Sequence, residues 1–361
     1  MTGVMIVATR YAASGPAHRA IICRYFSAYR AVLTHGPMQL IRRLSPRSSA
    51  HPGYVATIGG YDGLHLGHRE LLRRTFARAG ATGAQSLMVT FEPLPREFFV
   101  PAAPPPRLTN LRERYRLLSG TGLDSLCTLP FTRRLRELDA AQFAELLQRA
   151  GVRAVVIGHD FKAARDGEAT TQWLQAQGPR FGFDVEVVEP VRIDGERVGS
   201  RMVREALGAG RLDAAARMLG RRYAMIGRVQ RGEQLGRTLG YPTANLRLAR
   251  RRSPLQGIFA VRVRGIRDDA AGRIGLPGVA SLGTRPTVNG TVPLLETHVF
   301  DFAGDLYGRE IEVAFVAKLR DELRFDSVEA MVAQIHRDAD EARAVLEQDR
   351  QTDGVKRDGC D

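Results

Sequence analysis

Apolar runs alternate with segments of helical spacing through the first half of the chain. Residues 54–58 form a short apolar run that ends at two glycines, and residues 68–79 then show helical spacing. Further apolar runs cover residues 86–91 and 154–157. Between them, Asp139 with Gln142 predicts the capping box of a helix that ends near Gly151. Strands alternating with helices predict an α/β domain: a Rossmann-like parallel sheet with crossover helices, whose ligands gather at the carboxyl ends of the strands.

The pattern changes near Gly220, where β-rich runs joined by Gly- and Pro-bearing turns begin. The runs cover residues 223–229, 258–263, 279–282, 294–302 and 310–316. Such a series predicts an antiparallel β-barrel. Asp326 with Glu329 predicts the cap of a C-terminal helix, whose apolar stripe from Val328 to Ala339 should pack against the barrel.

Length and composition suit two globular domains. The 361 residues are 44% hydrophobic and 25% charged. We expect residues 1–37 to be an N-terminal extension that is either disordered or not part of the native protein, with an arginine-rich targeting peptide as the alternative. Two domains should follow over residues 38–219 and 220–347, with a polar tail over 348–361.

No stretch of the sequence approaches the ~18 apolar residues that a membrane span needs. The three cysteines are far apart and show no metal-ligand spacing, which is typical of a reducing compartment. We therefore expect a cytoplasmic protein without a membrane partner.

The net charge of +14 comes almost wholly from arginine. Such a charge suits phosphate-bearing ligands and also nucleic acid, but here arginine is spread over every segment, and no nucleic-acid-binding motif is evident. We expect small-molecule partners and no nucleic acid, and weak self-association stays open. A flavin-sensing nucleic-acid binder is the alternative from another functional class.

The first candidate site is the loop over residues 59–68, which runs from a strand directly into a helix. Backbone amides at a helix start favour phosphate, and Gly67 allows the backbone to approach it closely. Gly59 and Tyr61 are further candidate contacts of the ATP phosphates. His65 and His68 could donate hydrogen bonds to oxygens that gain charge during transfer. The structural alternative is two histidines that merely flank a glycine turn.

The second candidate site is the loop over residues 236–246, which is dense in turn residues. Gly236 and Gly240 would expose backbone amides to phosphate, and Pro242 would fix the turn. The Thr243 hydroxyl and the Asn245 carbonyl are hard oxygens suited to Mg²⁺. A purely structural turn stays the alternative.

Glu296 is the candidate general base of the second half. Phosphoryl transfer to an alcohol requires removal of a proton and neutralisation of charge on the transferring group. From the pattern alone, Glu296 is more often a solvent-facing strand carboxylate, and His298 and His336 are more often structural residues than metal ligands.

These motifs resemble those of the bacterial bifunctional riboflavin kinase/FAD synthetases over roughly residues 38–340. The resemblance extends to residues 90–93, 107–109, 158–161, 257–261, 283–287 and 301–308. It implies that His65 and His68 contact ATP phosphates. It further implies nucleotide contacts from Asp160, Ser200 and Arg204, and a flavin beside Phe91 and Pro93.

For the second half the same resemblance implies a riboflavin kinase. Glu296 would be the base at the ribityl hydroxyl, and Thr243 and Asn245 would hold the Mg²⁺ that bridges the ATP phosphates. The phosphates would lie along the loop, and the flavin near the end of the barrel; the residues implied are Gly236, Arg237, Gly240, Pro242, Arg324 and Phe325. The ligands implied are Mg²⁺, ATP, riboflavin, FMN and FAD.

The first half departs from the family pattern. Leu94 stands where a histidine is usual, residues 163–164 are Ala-Ala in place of Phe-Gly, and Gly199 and Arg201 replace hydroxyl residues. A lost hydrogen bond to a charged group typically costs about 1.5–3 kcal/mol. The departures favour a weakened or altered adenylyl transfer, and a monofunctional riboflavin kinase with a degenerate first half is the alternative.

Overall fold

The computed structural model describes residues 37–48, 50–232, 236, 240–267, 274–287 and 290–355. The predicted N-terminal extension, apart from its last residue, and the predicted phosphate ligand Arg237 lie outside this part of the chain. Two compact units are present: the first holds residues up to 105 together with 114–199, and the second holds 106–113 and the residues from 200 onward. The domain bounds suggested by the sequence pattern stay a prediction.

The first unit is a six-stranded parallel sheet with helices, as predicted. The six strands of the sheet are β1 (Gln39–Ile41), β2 (Tyr54–Ile58), β3 (Gln85–Glu92), β4 (Ser125–Pro130), β5 (Val152–Gly158) and β8 (Asp184–Val188). Two separate antiparallel pairs are formed by β6 (Lys162–Ala163) with β7 (Ala169–Thr170) and by β9 (Arg192–Ile193) with β10 (Glu196–Arg197). Its helices are α1 (Leu66–Thr82), α2 (Pro95–Phe99), α3 (Leu111–Leu118, whose first turn belongs to the second unit), α4 (Arg133–Arg136), α5 (Ala140–Arg149) and α6 (Thr171–Gln177). The sheet order is β1-β4-β3-β2-β5-β8.

The central strands are apolar without alternation because both faces of the parallel sheet are covered. All five residues of β2 are buried. The helix α1 begins at the N-cap His65 and ends at Gly83, which adopts a left-handed φ of 67°. The predicted capping box of Asp139 and Gln142 is confirmed at the start of α5.

The second unit is a closed antiparallel barrel, as predicted, with the order β11-β12-β15-β14-β13-β16. Its strands are β11 (Ala224–Gln230), β12 (Ala244–Arg247), β13 (Gly257–Arg264), β14 (Leu276–Thr287), β15 (Gly290–Val299) and β16 (Glu310–Arg320). Its helices are α7 (Ser200–Gly208), α8 (Leu212–Leu219) and α9 (Val328–Val355). Both α7 and α8 contribute side chains to the core that fills the barrel.

The strand β12 was not predicted, because residues 236–246 looked like one continuous loop. It consists of Ala244–Arg247, whose side chains alternate between buried and more exposed positions. The barrel closes through this strand, which pairs with β11 on one side and β15 on the other.

The C-terminal helix α9 packs against the barrel through Ala339, Ala342 and Leu346. The predicted stripe was wrong at its start, since Val328 is 57% exposed. The predicted cap was wrong by one residue, because the Ser327 Oγ accepts the hydrogen bond from the Ala330 backbone N–H at 3.1 Å.

Among the helices that the structure describes, none is long and apolar enough to cross a membrane.

A buried ion pair stabilises the second unit. The Arg250 guanidinium donates to both carboxylate oxygens of Glu113 at 2.5 and 2.6 Å, and both side chains are almost fully buried. Arg250 also donates to the Tyr223 hydroxyl at 2.8 Å, and the Ile226 N–H donates to Glu113 at 2.9 Å. These contacts hold residues 106–113 against the barrel.

Candidate active sites

The loop after β2 has a strained and buried backbone. Tyr61 and Leu64 have positive φ angles of 46° and 45°, and both side chains are buried. The Tyr61 hydroxyl donates to the Thr57 Oγ1, which itself donates to the Val156 carbonyl at 2.7 Å. Burial raises the pKa of Tyr61 far above its usual value, against the effect of the Thr57 hydrogen bond, so Tyr61 is a neutral anchor.

The two predicted histidines lie together at the start of α1. Their rings are stacked with centroids 3.6 Å apart, and the His65 Nδ1 accepts the hydrogen bond from the His68 backbone N–H at 3.4 Å. A Cβ on Gly67 would lie 3.2 Å from the His65 ring, so this close packing favours glycine. Because the His65 Nδ1 accepts, its Nε2 is the nitrogen that carries the proton in the neutral ring.

His68 is a neutral imidazole. Burial and, to a smaller extent, the charge of Arg114 lower its pKa to about 3. Its Nδ1 atom is buried and has no hydrogen-bond partner among the described residues. A buried polar atom in this state is suited to a polar ligand, since leaving it unsatisfied is costly.

Arg114 is a fully buried cation beneath this loop, and the sequence analysis missed it. Its guanidinium donates to the Gly60 carbonyl at 3.2 Å and to the Thr90 Oγ1 at 2.7 Å, and it pairs with the Glu92 carboxylate at 3.2 Å. Thr90 in turn donates to the Gly60 carbonyl at 3.2 Å. The network joins the carboxyl ends of β2 and β3.

Aromatic residues follow the carboxyl end of β3, where the flavin of the first unit was predicted. Phe91 is buried and meets the Phe131 ring edge-to-face at 5.5 Å, and Pro93 is exposed. Phe98 and Phe99 of α2 also contact Phe131, and the Phe99 side chain is 54% exposed. An exposed aromatic edge of this kind can stack on a planar ligand.

The remaining predicted nucleotide residues already have protein partners. The exposed carboxylate of Asp160 accepts a hydrogen bond from Arg197 at 2.6 Å, and this contact lowers the pKa of Asp160 although burial acts in the opposite direction. Ser200 and Arg204 belong to α7 of the second unit, where Arg204 donates to the Pro106 carbonyl at 2.7 Å.

Strand register brings the predicted kinase residues together in the barrel. Asn245 of β12 lies directly opposite Glu296 of β15, so the two side chains project from the same face. Both are half-buried, as is Thr243 just before β12. Glu296 therefore lies beside Asn245, one of the two residues proposed to bind metal.

The loop before β12 is closed by its own backbone. The Gly236 carbonyl accepts a hydrogen bond from the Tyr241 N–H at 2.7 Å, and Gly240 has a positive φ of 79°. The His298 Nδ1 donates to the Pro242 carbonyl at 2.9 Å.

The Tyr241 side chain joins this loop to the C-terminal helix. Its hydroxyl forms a 2.7 Å hydrogen bond with His336 of α9, and its ring meets the His298 ring edge-to-face at 5.1 Å. Both histidines therefore help to hold the loop through residues 241 and 242.

The predicted flavin contacts of the second unit follow β16. Arg324 is exposed and Phe325 is half-buried, with the Arg320 guanidinium 6.0 Å from the centre of the Phe325 ring. Arg320 also pairs with Asp338 of α9 at 2.6 Å. Arg320, the last residue of β16, therefore contacts both Phe325 of the connecting segment and Asp338 of α9.

The oxygens of the second unit suit Mg²⁺ better than a transition metal. Within the part of the chain that the structure describes, no cluster of three or more His, Cys, Asp or Glu side chains could hold a metal ion. Mg²⁺ needs few protein ligands when phosphates supply the others. A hydroxyl, an amide carbonyl and a nearby carboxylate fit that requirement.

Fold and sites together define a two-module protein, with a parallel α/β nucleotide-binding unit followed by a phosphotransferase-like barrel. Residues 47–202 match the FAD synthetase family, and residues 219–346 match the riboflavin kinase family. The chain belongs to the family of bifunctional riboflavin kinase/FMN adenylyltransferases.

Relatives match along nearly their whole length. The bifunctional riboflavin kinase/FMN adenylyltransferase of Pseudomonas fluorescens is 45% identical over 85% of this chain and 98% of the relative. The protein of the same name from Escherichia coli K12 is 41% identical over 85% of this chain and 97% of its own. A solved Streptococcus pneumoniae structure titled a macrolide-efflux protein is 28% identical, with a TM-score of 0.70, and covers 85% of this chain and 98% of its own.

Proposed function

We propose that this chain phosphorylates riboflavin to FMN at the barrel and adenylylates FMN to FAD at the parallel sheet. The observation that carries the riboflavin kinase activity is the opposition of Asn245 and Glu296 on β12 and β15. The stacked rings of His65 and His68 at the start of α1 support the FMN adenylyltransferase activity. Membership of a family whose relatives carry both names supports both activities together.

In the kinase reaction Glu296 accepts the proton of the ribityl primary hydroxyl. The hydroxyl oxygen then forms a bond to the γ-phosphorus of ATP, and the bond to ADP breaks. Thr243 and Asn245 would hold Mg²⁺, which supplies positive charge to the transferring phosphoryl group. The loop from Gly236 to Pro242 would bind the phosphates, and Phe325 with Arg324 would contact the flavin.

In the adenylyl transfer a phosphate oxygen of FMN attacks the α-phosphorus of ATP and pyrophosphate leaves. No protein nucleophile is required. His65 and the neutral His68 can each donate a ring N–H to oxygens that gain charge, near the positive end of α1. Phe91 and Pro93 would contact the flavin ring.

In our proposal both activities are retained although several residues of the first half differ from the family pattern, and these differences slow adenylyl transfer. Leu94 is buried and its backbone N–H donates to Glu97 at 2.9 Å, so leucine is accommodated at the usual histidine position. The monofunctional alternative has no support in the family assignment, since both halves match.

The partners in this proposal are riboflavin, FMN and ATP with Mg²⁺, and the location is the cytoplasm, where ATP is available. The predictions of no nucleic-acid partner and of weak self-association stay predictions.

Chromatography of flavin products tests the proposal. Purified protein incubated with riboflavin, ATP and Mg²⁺ should yield FMN first and then FAD. FMN as the sole product would contradict adenylyl transfer, and no product would contradict both activities. Omission of Mg²⁺ should abolish product formation.

A further inference from the structure

Arg114 is a buried side chain whose contacts tie the His65–His68 loop to the neighbouring strand end, since Gly60, Thr90 and Glu92 all receive its hydrogen bonds. Its side chain is 0% exposed, whereas the Glu92 side chain is 35% exposed. A buried guanidinium is retained only where several fixed acceptors surround it. Here those acceptors lie at the ends of two strands.

We propose that Arg114 is a positioning residue for adenylyl transfer, which fixes the loop over residues 59–68 so that His65 and His68 meet the ATP phosphates. This inference rests on the proposed function of the first unit. The guanidinium acts through the Gly60 carbonyl and through the Thr90 hydroxyl, which itself donates to that carbonyl. The role is therefore one of geometry.

The backbone of the loop makes such support necessary. Tyr61 and Leu64 occupy a region of φ that non-glycine residues adopt only at a cost, and Gly60 directly precedes them. Arg114 donates a hydrogen bond to the carbonyl of Gly60, which lies between β2 and the strained residues. Without this hydrogen bond, the loop can relax toward less strained φ angles and displace the rings of His65 and His68.

Three variants test the proposal. Arg114→Met keeps much of the side-chain bulk and removes every donor, Arg114→Lys keeps a charge and donors, and Arg116→Met changes an exposed arginine of the same helix. FMN adenylyl transfer and riboflavin phosphorylation are assayed on each preparation, so that the barrel reaction reports intact protein.

A shift of about 1 Å in a binding group can cost about 10²-fold in rate. Arg114→Met should lower kcat/KM for ATP in FAD formation by about 10²-fold and raise the KM for ATP, with the KM for FMN unchanged. Arg114→Lys should recover the rate to within about tenfold. Arg116→Met should match the wild type, and riboflavin phosphorylation should stay unchanged throughout.

Thr90→Val supplies an independent variant, because it removes the hydroxyl that bridges Arg114 and Gly60. It should raise the KM for ATP in the same direction, by a smaller factor. Near-normal FAD formation by Arg114→Met, or a fall in kcat with both KM values unchanged, would overturn the inference while leaving the proposed function intact. Failure of the wild-type chain to form FAD would overturn both.

Discussion

The two candidate sites are held by different kinds of contact. In the first unit, a strained loop depends on buried side chains beneath it, with Arg114, Thr57 and Tyr61 all buried. In the second unit, Asn245 and Glu296 are brought together by the backbone register of β12 and β15. Register depends on a whole ladder of backbone hydrogen bonds, whereas the loop depends on a few polar groups.

This difference bears on how each site tolerates change. Substitution of a reacting side chain in the barrel should remove its catalytic function without displacing the neighbouring residues. Substitution of a residue beneath the loop should displace His65 and His68, although these two residues are themselves unchanged. The predictions below separate these two behaviours, and the expected effects decrease from the first to the last.

The largest effect should come from Glu296→Gln. Loss of the general base should lower the turnover of riboflavin phosphorylation by about 10²–10⁴-fold, with smaller effects on substrate binding. Initial rates of FMN formation measure this. The control is Glu312→Gln, which changes a carboxylate of β16 that pairs with Arg264. Near-normal turnover in Glu296→Gln would remove the assigned role.

Arg250→Met should destabilise the second unit. It leaves Glu113 buried without its ionic partner, and breaking a buried pair from one side typically costs about 3–5 kcal/mol. Urea unfolding, followed through loss of riboflavin phosphorylation, should show a lower midpoint than for the wild type. The matched control is Arg251→Met at an exposed position. Equal midpoints for both variants would show that the pair is dispensable.

The double variant Gly199→Ser, Arg201→Thr should accelerate FAD formation by about tenfold. It restores two hydroxyls that the family pattern places near the triphosphate, each able to form a hydrogen bond to a charged group worth about 1.5–3 kcal/mol. Removal of the positive charge of Arg201 offsets part of this gain, which reduces the expected net effect. Steady-state rates with FMN and ATP give the comparison, and riboflavin phosphorylation by the same preparation is the control. An unchanged rate would refute the idea that the departures weaken this reaction.

The smallest effect should come from Tyr241→Phe, which removes only the hydrogen bond to His336. A neutral, partly exposed hydrogen bond contributes about 0.5–1.5 kcal/mol, so the KM for ATP in riboflavin phosphorylation should rise by about two- to tenfold. Tyr115→Phe, in the first unit, serves as the control. A KM unchanged by Tyr241→Phe would mean that α9 does not steady the phosphate loop.

The sequence allowed both architectures to be predicted, because apolar runs and turn residues are local signals. The helix after residues 59–68 and the capping box at Asp139 were recognised for that reason. The strand β12 was missed, since the glycine- and proline-rich residues before it resemble an uninterrupted loop, and its four residues carry too little alternation to stand out.

Arg114 could not have been singled out from the sequence. It lies in α3 between Arg112 and Arg116, both of which are exposed, and nothing local distinguishes the buried arginine from its neighbours. Its burial follows from acceptors in the loop after β2 and on β3, which are distant in sequence. That Asn245 and Glu296 serve one site was implied by family resemblance alone, and their direct opposition on β12 and β15 now provides a physical basis for it.

The central claim is that two separate sites catalyse successive reactions. Chromatography of the products of Glu296→Gln and His68→Asn, each supplied in turn with riboflavin and with FMN, tests this claim most directly. Glu296→Gln should convert FMN to FAD at the wild-type rate and leave riboflavin nearly unchanged, and His68→Asn should convert riboflavin to FMN and stop there. Loss of both reactions in either variant, with the protein folded, would contradict the account.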